Sequence, residues 1–200
     1  GTEPTAESTL YEGPIALKET AVIKAAAVRP MGTSKVVTDS VNFNKATAKK
    51  VTLANEPHSS YRADGAQTLV DGRYGAPAFN AGGWLGFNGK DLDAVIDLGS
   101  EQDIHSVSVR TFVEGGSWIL DAKKITVAVS GDEKNFKEVA SQSLAVKDMK
   151  DGIQTHTLNF DSVKARYVKV VAECVPHMSE WRAEMGAGAA FVFVDEIAID

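Results

Sequence analysis

One cysteine, Cys174, stands in a chain of 200 residues. A lone thiol excludes an internal disulfide and any zinc site built on several thiolates. That usage fits either a cytosolic chain or a secreted one whose core needs no covalent staples. No apolar run approaches the roughly 20 residues of a membrane-spanning helix, so no membrane span is expected. No basic tract is present either. Lys and Arg total 21 against 27 Asp and Glu, a net charge of −6, and nucleic acid is not an expected partner. An apolar period of 3.6 residues never persists over three turns, and the best helix candidate, 179–185, runs straight into Gly186-Ala187-Gly188. The sequence also lacks a glycine-flanked nucleophilic serine, a His-Glu-x-x-His run and a phosphate loop. Glu173, Glu180 and Glu184 cluster in one region, but no opposing carboxylate pair of the kind glycoside hydrolysis needs can be drawn. The chain is therefore read as noncatalytic, and Cys174, at the end of an apolar strand, as an inert buried thiol.

What the sequence does contain is strands. With 44% apolar and 24% charged residues it has an ordinary globular composition. Ile125, Val127 and Val129 alternate along 124–130, and a weaker alternation runs over 104–111. Further strands are expected at 84–87, 94–98, 136–140, 155–160, 167–172 and 190–199. They are separated by the turn signals Leu98-Gly99-Ser100, Ser130-Gly131-Asp132, Lys150-Asp151-Gly152 and Asp161-Ser162. Many short strands at regular spacing with Gly-rich turns predict an all-β antiparallel sandwich. Residues 1–30 differ: two β elements near 11–15 and 21–25 end at Arg29-Pro30-Met31-Gly32, and thirty residues cannot bury a core alone. The expectation is a short β fragment at 1–30, a linker at 31–48 and the sandwich at 49–200. Without an initiator Met, the chain reads as a cut from a longer protein.

Two stretches resemble known families. Thr2-Glu3-Pro4-Thr5, Ser8-Thr9-Leu10-Tyr11, Gly13-Pro14-Ile15 and Ile23-Lys24-Ala25 resemble the second half of the small β domain after the catalytic barrel of bacterial chitobiases and β-hexosaminidases. From about Lys49 onward the chain resembles the discoidin family (coagulation factor C-type domains), particularly family 32 carbohydrate-binding modules. The pieces, in order, are Leu69-Val70-Asp71-Gly72, Trp84-Leu85-Gly86-Phe87, Ala94-Val95-Ile96-Asp97-Leu98-Gly99, the run 125–132 with Phe136, Arg166-Tyr167-Val168-Lys169-Val170 and Val194-Asp195-Glu196-Ile197. The resemblance implies an eight-stranded jelly roll (galactose-binding-like). It also implies a structural calcium ion at one end and a ligand surface on the loops there.

Carried onto this sequence, the cation would be held by Asp71 and Glu196, with main-chain oxygens around Thr68, Arg73 and Ala76. Arg73 stands where the family often has a polar ligand and would offer only its carbonyl. The bland alternative is a β-turn capped by Asp71 and a solvated carboxylate on a strand end. Ligand contact is expected from loop aromatics flanked by Gly and charge, namely Trp118, Trp181 and Tyr61, with Arg62, Arg182 and His177 as hydrogen-bonding partners. Each Trp has a competing role as a plug of the sandwich, and Trp84 is assigned to the core. The family's galactose set of His, Arg and Asn cannot be placed in full. The implied function is a noncatalytic carbohydrate-binding module appended to a bacterial glycoside hydrolase of the β-hexosaminidase or chitobiase type. Its partners would be an N-acetylhexosamine- or galactose-containing glycan and an upstream catalytic domain of the same polypeptide, in a periplasmic, outer-membrane-associated or secreted location. The alternative is a structural domain that packs on its own catalytic partner and binds no sugar.

Overall fold

A computed structural model describes all 200 residues, Gly1–Asp200. The N-terminal arm holds β1 (Ala21–Ala25), β2 (Val28–Arg29), β3 (Gly32–Thr33) and β4 (Val37–Val41). The sandwich holds β5 (Lys50–Leu53), β6 (Leu85–Asn88), β7 (Leu92–Val113), β8 (Lys124–Ser130), β9 (Lys137–Ser143), β10 (Gly152–Glu173) and β11 (Phe191–Ile199). All pairings between these strands are antiparallel; the main sheet runs β6-β11-β7-β10-β8-β9, with β5 also on β7. The all-β sandwich read from the sequence is what forms. Its strand count differs, because two of the turn signals bend a strand instead of ending it. Gly99, at φ +86°, lets β7 swing over on itself, and β10 follows with register shifts around Asn159–Val163 and Ala165–Tyr167. The first half of each long strand therefore lies in one layer and the second half in the other. Ala94, Ile96, Leu98 and the β8 triad Ile125, Val127 and Val129 meet Val107, Val109, Val194 and Ile197 in a single buried cluster. That shared core is the reason the bent sheet closes on itself.

A second, smaller cluster lies on the opposite face. Trp84, Phe112, Ile119 and Phe193 are buried there, with Tyr61, Phe79 and Phe191 packed around them. The long connection between β5 and β6 covers it. Trp84 is 2% exposed, in accord with its assignment to the core, but it serves this outer cluster and precedes the strand. The helix expected at 179–185 is two 3-10 turns, Met178–Glu180 and Ala183–Met185.

Residues 31–48, expected as linker, contain β3 and β4, and β4 pairs with β1 from Ala21↔Val41 to Ala25↔Val37. The arm is thus a hairpin that extends to Val41. Eight of the twelve exposed large apolar residues, from Leu10 to Val37, belong to it, so it has no core of its own. It is tied to the sandwich through Asn44. The Asn44 Oδ1 accepts from Ala46 N at 2.8 Å and Ile199 N at 3.2 Å, while its Nδ2 donates to Glu196 Oε1 and to Asn42 O, each at 3.3 Å. Asn44→Ala strands two backbone N–H groups and one buried carboxylate oxygen. We expect a loss of about 2–4 kcal/mol in urea unfolding; a loss below about 0.5 kcal/mol contradicts this role.

Candidate functional site

Two loops interlock at the end of the sandwich where β11 begins. Trp118, in the loop between β7 and β8, is 40% exposed and sits at φ +62°, a left-handed conformation that is costly for a bulky side chain. Its N–H donates to Gly115 O at 3.1 Å, and its carbonyl accepts from Phe191 N at 2.8 Å. The indole is laid against Gly188, where a Cβ would come within 2.1 Å of Cζ3. The partner loop, between β10 and β11, returns the contact. Trp181 lies on Gly115, where a Cβ would come within 2.2 Å of Cη2. Two glycines thus seat two indoles, each from the opposite loop. Arg182 lies over the Trp181 ring, its Cζ 4.3 Å from the centroid, and exposed His177 is held by Ala187 O at 3.0 Å from Nδ1. Trp118, Trp181, Arg182 and His177 are therefore brought together, with Trp118 the more open ring. Gly115→Ala and Gly188→Ala should each cost about 1–3 kcal/mol in chemical denaturation and shift the tryptophan emission; unchanged emission and stability would remove the interlock.

Tyr61 and Arg62 behave differently. The Tyr61 ring is half-buried among Phe193, Phe191 and Phe79, at centroid distances of 4.9, 5.6 and 5.9 Å, and is a wall of the outer aromatic cluster. It meets the rim only through Phe191. Arg62 turns toward an open hollow of about 550 Å³ beside β5, lined also by Leu53, Glu56 and Pro57.

The expected cation residues lie elsewhere again. Glu196 is five residues beyond Phe191 on β11, so the cation residues and the tryptophans are separated by about 16 Å of strand. A bulge falls between Val194 and Glu196, and Asp195 and Glu196 both meet Arg110 across it. Residues 71–76 cross over this bulge. Gly72 N donates to Glu196 Oε2 at 3.1 Å, and Gly75 N donates to Asp195 Oδ2 at 2.6 Å. Burial, with the charge of Asp71 adding to it, pushes the Glu196 carboxyl up to about 8. Burial also raises Asp71, against the opposing effect of its bond from Arg73 N at 2.7 Å. Thr68 is buried and its hydroxyl accepts from Asp64 N at 3.0 Å, while the Arg73 side chain leaves the turn to pair with Asp39 on β4 at 2.5 Å. Asp71 and Glu196, two confined carboxylates whose charges are unfavourable, are the residues that could hold a hard cation, to which Thr68 and Arg73 could add only carbonyl oxygens.

A carboxyl held above its unfolded value binds its proton more tightly in the folded state. Its stabilisation is full below the unfolded value, roughly 4.3, and is lost as pH rises through about 8. In chelator, the stability of the wild type should fall relative to Glu196→Gln between about pH 5 and 8, by on the order of 1 kcal/mol or more. A flat or rising difference in urea unfolding contradicts the burial of this proton.

The sequence reading missed two further groups. Arg110 pairs with Asp195, which is wholly buried, and Asp121 binds both His156 (Nε2 to Oδ2, 2.9 Å) and Thr111 (Oγ1 to Oδ1, 2.9 Å). The adjacent acids in Val194-Asp195-Glu196-Ile197 were the available signal. A regular strand would point one of them into the core, so the pair itself implies a bulge. The Asp121–His156 pair joins a loop to β10 and carries no sequence signature. Cys174 is buried with its thiol pushed up to about 11 by desolvation, as an inert cysteine should be. No helix is long and apolar enough to cross a membrane.

Comparison with known proteins supports the discoidin reading of the sandwich, while the arm, expected to be chitobiase-like, matches a different family model. Residues 45–183 match the F5/8 type C domain family, and residues 1–41 match the Fn3 associated family. A search of curated proteins returns no match. Among solved structures, one similar fold is a CBM32 module from Clostridium perfringens in complex with GalNAc-β-1,3-galactose, at 20% identity and TM-score 0.51, covering 75% of this chain and 93% of that one. Another is chitosan-binding module 1 of a chitosanase/glucanase from Paenibacillus sp. IK-5, at 17% identity and TM-score 0.50, covering 80% and 99%. A Ruminococcus gnavus GH29 fucosidase in complex with fucose matches at 15% identity and TM-score 0.51 over 78% of this chain and 26% of that one. The chain belongs to the F5/8 type C (discoidin) domain family.

Proposed function

We propose that this F5/8 type C domain is a noncatalytic carbohydrate-binding module whose ligand stacks on Trp118, with Arg182 and His177 supplying hydrogen bonds and Trp181 forming the wall. The observation that carries the reading is Trp118 itself. A large ring is kept half-exposed in a backbone conformation that costs free energy and that the interlocked loops hold in place, and such strain gathers at ligand sites. The solved modules of this fold that bind GalNAc-β-1,3-galactose and chitosan support a glycan as the ligand class. Tyr61 and Arg62, in this reading, shape the neighbouring surface. A shallow rim of this kind gives weak monovalent affinity, and tethering to a glycoside hydrolase of the β-hexosaminidase or chitobiase type, in a periplasmic, outer-membrane-associated or secreted setting, makes that affinity useful. The resemblance of Gly13-Pro14-Ile15 and Ile23-Lys24-Ala25 to the chitobiase domain is what favours that parent, while the family model that matches the arm is Fn3 associated.

The alternative, a structural accessory domain that packs on its own catalytic domain, draws on Trp181, whose ring is enclosed between Gly115 and Arg182. Calorimetric titration with N-acetylhexosamine and galactose oligosaccharides separates the two. Trp118→Ala should weaken binding at least tenfold without lowering stability by more than about 1 kcal/mol. Absence of binding across both sugar classes favours the accessory role.

Calcium is proposed as a structural ion held by Asp71 and Glu196, with carbonyl oxygens near Thr68 and Arg73. It would supply the charge that lets both carboxyls ionise. Millimolar calcium should raise the unfolding temperature by several degrees in the wild type and leave Glu196→Gln unmoved. An equal rise in both proteins assigns the ion to another place.

A further inference from the structure

The most exposed large apolar side chain of the sandwich is Tyr74, at 56%, and it is not at the rim. It stands on the outer sheet face, above the β11 bulge, four residues or about 13 Å along the strand from Phe191. Its ring lies over Arg110, whose Cζ is 4.1 Å from the ring centroid and 5.5 Å from that of Trp84. Arg110 makes one side-chain hydrogen bond, to Asp195 Oδ2. The single buried side-chain polar atom without a partner is Asp195 Oδ1, and the Arg110 side chain, 13% exposed, leaves its remaining guanidinium N–H groups a narrow opening to solvent. They are fixed there by a carboxylate that is 0% exposed and by two aromatic rings.

The same face continues across β10. Thr155 is opposite Arg110 in the ladder and exposed, and beyond it Ser108 and Thr157 share a hydrogen bond of 2.8 Å. An open aromatic ring, pinned N–H donors and exposed hydroxyls on one sheet face suit a polyhydroxylated ligand. The charge around them is that of one arginine against Asp195, with Asp71 and Glu196 under the same loop, and the whole chain carries −6. That balance offers no net attraction to an anion.

We infer that the outer sheet face at Tyr74, Arg110 and Thr155 is a second saccharide-binding surface, separate from the tryptophan rim and suited to a neutral chain of several pyranose units. Tyr74 stacks against one sugar, and Arg110 and Thr155 bond the hydroxyls of its neighbours. Two sites on two faces would let one domain hold two chains of an insoluble polysaccharide.

The test is titration of the ¹⁵N-labelled chain with cellohexaose and with chitohexaose. Shifts are expected at the amides of Tyr74 and Thr155 and at the Arg110 side chain with at least one of them. Tyr74→Ala should weaken this response at least tenfold while shifts at Trp118 and Trp181 persist. Thr155→Glu, on an exposed strand position, should do the same if Tyr74→Ala perturbs the loop. A polygalacturonate hexamer should give no outer-face shift. Perturbation confined to the rim with both neutral hexamers, or tighter outer-face binding of the polyuronate, overturns the proposal. Outer-face shifts with a silent rim would instead sink the tryptophan site and leave this one standing.

Discussion

A single extra residue in β11 governs the outer surface of this protein. The bulge between Val194 and Glu196 keeps two consecutive carboxylates out of the main core, where either alone would be an unpaired buried charge. Each then accepts a hydrogen bond from a backbone N–H of one loop, Gly72 to Glu196 and Gly75 to Asp195, whose Oδ1 alone stays without a partner. The loop can come that close only because glycine stands at both places. A Cβ on Gly72 would lie 3.0 Å from Asn42 O, and one on Gly75 would lie 2.5 Å from the Trp84 ring. The loop in turn roofs the second aromatic cluster and accepts the arm, through Asn42 N to Gly72 O at 2.8 Å and Asp39 to Arg73. Arm, loop and last strand are one mechanical unit, and Glu196 with Asn44 is its knot.

The layer structure was legible because it rests on alternation. Ile125, Val127 and Val129 can face only one way, and the buried triad they form is the one the pattern demands. The number of strands was not legible in the same way. Leu98-Gly99-Ser100 and Asp161-Ser162 carry the chemistry of a turn, and a bend within a long strand uses that same chemistry, so local sequence cannot separate the two. The linker reading of 31–48 failed for a related reason: Val37-Thr38-Asp39-Ser40-Val41 is short and polar, and only its pairing with β1 makes it a strand. The family pieces located the loops of the candidate rim but not the orientation of their rings. Tyr61, flanked by polar residues in the chain, faces Phe79, Phe191 and Phe193 in space. Arg110 itself carries no signal beyond the adjacent acids of its partner strand, because its environment is assembled from three distant segments.

The two tryptophans illustrate how a rigid scaffold can hold mobile chemistry still. A loop that merely displayed an indole would lose ordering entropy on binding and weaken the site accordingly. Here each loop supplies the ring that the other needs a glycine to receive, so neither ring can swing away without its partner loop opening. The strain at Trp118 is sustained by this mutual seat and by the parallel bridge from Ile119 to Phe191, which connects it to the same strand that carries Asp195 and Glu196. The rim and the outer face are consequently presented by one strand at fixed separation. A ligand at either proposed place would meet a surface whose conformational cost was met during folding, and that preorganisation is what a shallow, solvent-facing site would require to bind a flexible glycan at all.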